Sequence, residues 1–214
     1  MRLVHLLLGS AISLSGTLLS AQRSVQIGDR VVSLEGYGIA KGSDQAPVWI
    51  VELADFGCSY CEKFALQTMP AIDSAFTNRS RVNFRFIPMV TGMFSNSTEA
   101  AEAAICAAEQ GRFWPMHDRI YARRRQWMAS KAARPMFARF AQELGLRMPK
   151  YGACVTSRGT AETIVRNNNL SRSLFMRGTP YFVINGEAVP GALPTEIFLR
   201  GIDAVYKSVS GTKN

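Results

Sequence analysis

The chain has 214 residues, 47% apolar and 19% charged, with 17 Gly and 9 Pro that follow no period. This composition excludes a disordered polyelectrolyte and a collagen-like repeat, and four Cys are too few for a small disulfide-stapled scaffold. The 25 Lys+Arg against 16 Asp+Glu give a formal charge of +9, which could serve an acidic partner. The basic residues are scattered, however, apart from Arg123-Arg124-Arg125, which reads as a solvated helix face. The length fits one domain carrying an insertion.

Residues 1–21 differ from the rest. Arg2 and His5 precede an apolar stretch softened by Gly and Ser, which ends in the small residues of Leu19-Ser20-Ala21. That is the pattern of a secretory signal peptide. Residues 22–214 would then form a periplasmic or secreted domain, with an uncleaved membrane anchor as the alternative. Export makes nucleic acid an unexpected partner. It also places the thiols where disulfides form and persist.

Residues 22–45 read as a polar, Gly-rich arm with one strand near residues 30–34. Residues 47–54 are short, apolar and β-branched, the signature of a buried strand. After Gly57 a helix is predicted over residues 58–75, kinked or divided by Pro70. Residues 82–87 alternate as a half-buried strand. Asn96, with Glu99 three residues on, predicts a helix cap before an alanine-rich helix that Gly111 ends. Further helices are expected at about 113–128, 134–144, 150–157 and 160–175. Strand character returns at residues 181–184, Asn185-Gly186 predicts a tight hairpin turn, and residues 187–189 form the return strand. Pro194 starts a last helix with Phe198, Ile202, Val205 and Val209 on one stripe. The fold class is α/β. A β-α-β unit followed by a β-β-α unit is the thioredoxin arrangement, with a helical insertion at about residues 96–160.

Cys58-Ser59-Tyr60-Cys61 follows a buried strand and opens a helix. A zinc site would need two more ligands, yet Cys106 and Cys154 are far apart and the remaining histidine beyond the leader is His117. Neither a metal nor an organic cofactor is therefore expected. Redox chemistry fits better. At a helix N-terminus, unpaired N–H groups and the macrodipole favour a thiolate, which is the nucleophile of disulfide exchange. Cys58 would attack, and Cys61, one turn deeper, would resolve the mixed disulfide.

Residues 46–61 resemble the active-site region of DsbA-like thiol–disulfide oxidoreductases. The stretch from Cys106 to Asp118 resembles the start of that family's helical insertion. Gly178-Thr179-Pro180-Tyr181-Phe182-Val183-Ile184-Asn185-Gly186 resembles its cis-proline loop and hairpin. The resemblance implies a cis Pro180 lying against the sulfurs, with substrate peptide pairing to Thr179. It also implies that Glu52, six residues before Cys58, is a buried proton relay for Cys61; the residues alone allow equally an exposed strand-end carboxylate. Ser59-Tyr60 departs from the Pro-His pair of the archetypal oxidase and lacks the histidine's help to the thiolate. Only about 25 residues separate the leader from the thioredoxin strands, so an isomerase-type dimerisation domain is missing and a monomer is expected.

With the redox pair assigned, Cys106 and Cys154 remain either as a structural disulfide or as two buried free thiols. A Cys58–His117 hydrolase is disfavoured, because Cys61 would trap the nucleophile; His117 is expected at the surface of the insertion. Phe113 and Trp114 are expected in the core, as are Met89, Met93 and Phe94 unless they join an apolar substrate groove. The function expected is an oxidase for cysteine-containing exported proteins, reset by a membrane redox partner. A reductase or isomerase kept reduced by its partner is the alternative, and a thiol-based metal-binding protein a weaker one.

Overall fold

The computed structural model describes residues 23–211, so the predicted leader lies outside the described residues. The arm forms a hairpin, β1 (Ser24–Ile27) and β2 (Arg30–Ser33), followed by a separate short strand, β3 (Ile39–Lys41). Strands of three and four half-buried residues carry little alternation of their own; β1 and β3 form because they find partners, which a local pattern does not reveal.

The central strand is β4 (Val48–Ala54). It pairs in parallel with β5 (Val82–Pro88) and antiparallel with β6 (Tyr181–Ile184). Strand β3 closes the β5 edge, and β7 (Glu187–Pro190) closes the β6 edge, giving the order β3-β5-β4-β6-β7. Both faces of β4 are covered, which is why it reads as a continuous apolar run. Val48 and Ile50 pack on one side with Phe64, Ile72, Phe198 and Ile202. Val51 and Leu53 pack on the other with Leu170, Leu174 and the hairpin residue Val25. The β6–β7 turn places Asn185 and Gly186 at φ 46° and 96°, a conformation that Asn and Gly tolerate best.

The helix predicted over residues 58–75 is three pieces: α1 (Ser59–Lys63), a π-helical turn (Phe64–Thr68) and α2 (Met69–Ala75). Pro70 has no N–H to offer four residues back, so the chain widens by one residue and the Met69 N–H reaches Phe64 O instead.

Between β5 and β6 lie α3 (Ser97–Ala108), α4 (Phe113–Ala122), α5 (Arg124–Met128), α6 (Arg134–Glu143), α7 (Met148–Val155) and α8 (Arg158–Ser173). The alanines of α3 at 100, 101, 103, 104 and 107 are buried, so neighbouring helices approach closely around it. Cys106 on α3 and Cys154 on α7 are joined by a disulfide with a Cα–Cα distance of 5.7 Å. Asn96 does not cap α3 with its side chain. It sits in the left-handed region, and its Nδ2 donates to Trp127 O at 2.8 Å and Ser130 O at 3.0 Å, tying the start of α3 to the end of α5. The last helix, α9 (Thr195–Val209), buries Phe198 and Ile202 but leaves Val209 exposed, because the stripe outruns the sheet.

Candidate active site

The last residue of β4 leads into Asp55-Phe56-Gly57, a loop held from several directions. Asp55 is fully buried and accepts from Gly57 N (2.9 Å), Thr91 N (2.7 Å) and Thr91 Oγ1 (2.9 Å). The Cys58 N–H donates to Asp55 O at 3.0 Å. Gly57 allows the loop to lie against Phe94: a Cβ there would come within 2.2 Å of the Phe94 Cβ. Sequence reading treated neither Asp55 nor Arg124 as part of a site. Arg124 belongs to the run read as a solvated face, yet it is half-buried. Its Nε donates to Gly57 O at 2.7 Å, and its guanidinium meets Glu62 at 3.4 Å. Arg124 thus braces the redox motif on both sides from the helical insertion, and α4 breaks at Arg123 to turn it inward.

Cys58 is the N-cap residue of α1, with extended backbone (φ −74°, ψ 127°), and its sulfur accepts from Cys61 N at 3.4 Å. A side chain in that place satisfies one of the helix's orphan donors. Cys58 and Cys61 form no disulfide in this structure; both are buried, Cys58 to 4% exposure under the Thr179–Pro180 loop. The Thr179–Pro180 bond is cis, and the Cys58 thiol donates to Thr179 O at 3.3 Å. Ser59 and Tyr60 face solvent.

The Cys58 pKa is lowered to about 6. The largest cause is the hydrogen bond from the Cys61 side chain; the Thr179 side chain and the backbone N–H groups of Cys61 and Tyr60 add to it, against the opposing effect of burial. The sequence predicted the backbone contribution, and the neighbouring thiol exceeds it. Burial pushes the Cys61 thiol well above its ordinary value, and the charges of Cys58 and Glu52 push it further. The two sulfurs thus differ as an attacking and a resolving thiol must.

Glu52 is fully buried on the face of β4 shared with Ile50 and Ala54, and it pairs across the sheet with Phe86 and Phe182. Among the described residues, neither carboxyl oxygen has a hydrogen-bond partner. Burial raises its pKa well above the carboxylate range, the Cys58 charge adds to this, and Lys41 opposes it. His117 is not at the surface but fully buried, with ring centroids of Phe86 at 4.8 Å and Tyr121 at 4.9 Å. It lies on the same helical stripe as Phe113, Ile120 and Tyr121, a spacing that already marked it as an inner residue. Met89 is buried and Phe94 half-buried, whereas Met93 is exposed.

A depressed thiol pKa has a defined effect on stability. Between about pH 6 and pH 9 the folded dithiol binds fewer protons than the unfolded chain. The reduced protein is therefore expected to gain stability relative to the disulfide form as pH rises through this window, and to lose it as pH falls through about 6. Thermal unfolding of both redox forms at pH 5 and pH 8 checks this; a gap that does not change with pH contradicts it.

The thioredoxin family model matches residues 35–204. Among curated proteins, the chain is 31% identical over 170 residues to Na(+)/H(+) antiporter NhaA 3 of Salinispora tropica, covering 78% of this chain and 24% of that one. It thus spans about a quarter of the antiporter's length. It is 25% identical to a probable disulfide bond formation protein D of Bacillus anthracis, covering 68% of each chain. The fold is similar to that of alpha-DsbA1 from Wolbachia pipientis, with a TM-score of 0.73 and 16% identity, over 87% of this chain and 95% of that one. With a cysteine pair capping a helix beneath a cis-proline loop and a family model matched over most of its length, the chain belongs to the thioredoxin family, and its fold is similar to that of DsbA proteins.

Proposed function

We propose that the protein is an exported, monomeric oxidase of cysteine-containing exported proteins. The observation that carries this reading is the Cys58 sulfur, capped by Cys61 N and facing the Thr179 carbonyl at 3.3 Å before the cis proline. In the oxidised enzyme a substrate thiolate attacks the Cys58 sulfur. The Cys58–Cys61 bond breaks, a substrate–Cys58 disulfide forms, and Cys61 leaves with the electron pair and takes a proton. A second substrate thiolate then attacks the mixed disulfide, forming the substrate disulfide and releasing Cys58 as a thiolate. Two electrons have passed to the enzyme pair, and a membrane redox partner removes them. The Thr179–Pro180 loop aligns the substrate chain beside Cys58.

Leaving-group quality favours this direction, since a stabilised Cys58 thiolate stabilises the reduced form. A pKa of about 6 lies between the thioredoxin value of about 7 and the DsbA value of about 3.5. The potential is accordingly expected between about −270 and about −120 mV. Equilibration with glutathione buffers measures it, and a value at or below about −270 mV would assign the reductase direction instead.

Glu52 supplies or takes the Cys61 proton. Burial holds this carboxyl's pKa well above the ordinary range, and its charge acts on Cys61. Glu52→Gln is expected to slow the step that deprotonates or protonates Cys61 by at least about tenfold. The stability effect has the opposite sign. A raised carboxyl pKa contributes most below pH 4.5 and progressively less as pH rises toward the folded value. Glu52→Gln removes that decline, so the variant gains relative stability at pH 8. Rapid-quench kinetics and denaturation on one preparation test both; a variant as fast as the parent ends the relay role.

A further inference from the structure

A groove of about 510 Å³ runs between α1 with its π-helical turn and the α4–α5 junction. Its walls carry Lys63, Arg123 and Arg125, all exposed, together with exposed Leu66. Among the described residues, none of these three cations has an acidic partner within salt-bridge distance. Glu62, the one carboxylate on the wall, is half-buried and already engaged by Arg124. The arginine run is therefore divided in role. Arg124 turns in to brace Gly57, while Arg123 and Arg125 stay exposed.

The groove lies beside the redox motif, since Glu62 and Lys63 on its wall directly follow Cys61. A second groove of about 310 Å³ on the other side of α1 shares Lys63 and Gln67 with it and reaches Tyr60. Five residues of helix separate Cys58 from Lys63, about 7.5 Å along the axis. An extended peptide advances about 3.3 Å per residue, so it covers that distance in two or three residues.

We propose that this groove binds an acidic segment of the substrate polypeptide, two to four residues from the cysteine being oxidised, and so selects substrates by charge. The inference rests on the oxidoreductase reading and adds the substrate class to it. Unpaired cations beside a reactive sulfur act chiefly on encounter rate, by about 10-fold to 1,000-fold where charges focus in a cleft.

The test uses the oxidised full chain and three single-cysteine peptides, with Asp, Asn or Lys at positions two to four on both sides of the cysteine. The rate of mixed-disulfide formation is measured at one pH and divided by each peptide's thiolate fraction, because flanking charge also shifts the peptide thiol. At low ionic strength the Asp peptide is expected to react about tenfold faster than the Asn peptide, and the Lys peptide slowest. In 1 M NaCl, where the screening length is about 3 Å, the difference falls to about twofold. Arg123→Gln with Arg125→Gln brings the Asp-to-Asn ratio close to one. Equal rates for all three peptides, or a preference that survives the double substitution, would overturn the proposal while leaving the oxidoreductase reading intact. Equal rates together with binding to anionic phospholipid vesicles that the double substitution abolishes would overturn it in favour of a membrane surface. If none of the peptides reacts, the oxidoreductase reading fails, and the groove assignment fails with it.

Discussion

Replacing Cys58 by serine is expected to reduce oxidative refolding of a test protein to the uncatalysed background. A hydroxyl can form no disulfide, and no other thiol can substitute: Cys61 is buried with a raised pKa, and Cys106 and Cys154 are already bonded. Cys61→Ala should fail differently. Cys58 can still be attacked as a mixed disulfide with a small thiol, but Cys61 is no longer there to release a substrate whose second thiol does not reach the bond, so covalent enzyme–substrate complexes accumulate. The same substitution removes the largest stabiliser of the Cys58 thiolate, so the pKa rises from about 6 toward the ordinary thiol range. Nonreducing gels and the pH profile of alkylation measure the two effects on one protein. A Cys58→Ser protein that still accelerates refolding, or a Cys61→Ala protein whose alkylation midpoint stays near pH 6, would contradict the site as described.

The second large effect is on stability. The Cys106–Cys154 bond links α3 to α7 across a sequence separation of 48. Chain-entropy arguments assign roughly 4 kcal/mol to closing a loop of that size. Cys106→Ala with Cys154→Ala should therefore lower unfolding free energy by about that amount, and Tm by roughly 8–16 °C for a domain of this length. The unfolded chain is also less compact, so the urea m-value should rise. Both cysteines lie in the apolar core around α3, where Ala100, Ala103, Ala104 and Ala107 present little surface each. A core built on alanines buries less per residue than one built on leucine, which is a physical reason for a covalent tie there. A loss below about 1 kcal/mol would show that packing alone holds the insertion.

The large elements of this fold are written in local pattern. Strand β4 is apolar but for Glu52 because both its faces are covered, and Asn185-Gly186 supplies the two positive φ angles of its hairpin; β5 reads as half-buried from its alternation, yet it too is covered on both faces, with Asn83 buried. The cysteine pair is equally visible, since two thiols one turn apart after a buried strand have few other uses. Non-local features were hidden. Strands β1 and β3 are too short to show a period. Asn96 has the composition of a cap, but its amide is drawn to two carbonyls at the end of α5. Arg124 is chemically the same as its neighbours; only the fold makes the middle residue of three reach Gly57. Glu52 could have been a wet strand end, and the pairing of β3, β5 and β6 around β4 is what buries it.

The chain enters the fold beside the β6–β7 turn. The Ser24 carbonyl lies so near Gly186 that a Cβ there would sit 3.3 Å from it. Cys58 lies at the opposite end of β6, against Thr179, four residues or about 13 Å of strand away. Any tether running through the first residues would hold the molecule by its far pole. With such a tether, the sulfurs would lie at the end of β6 remote from it.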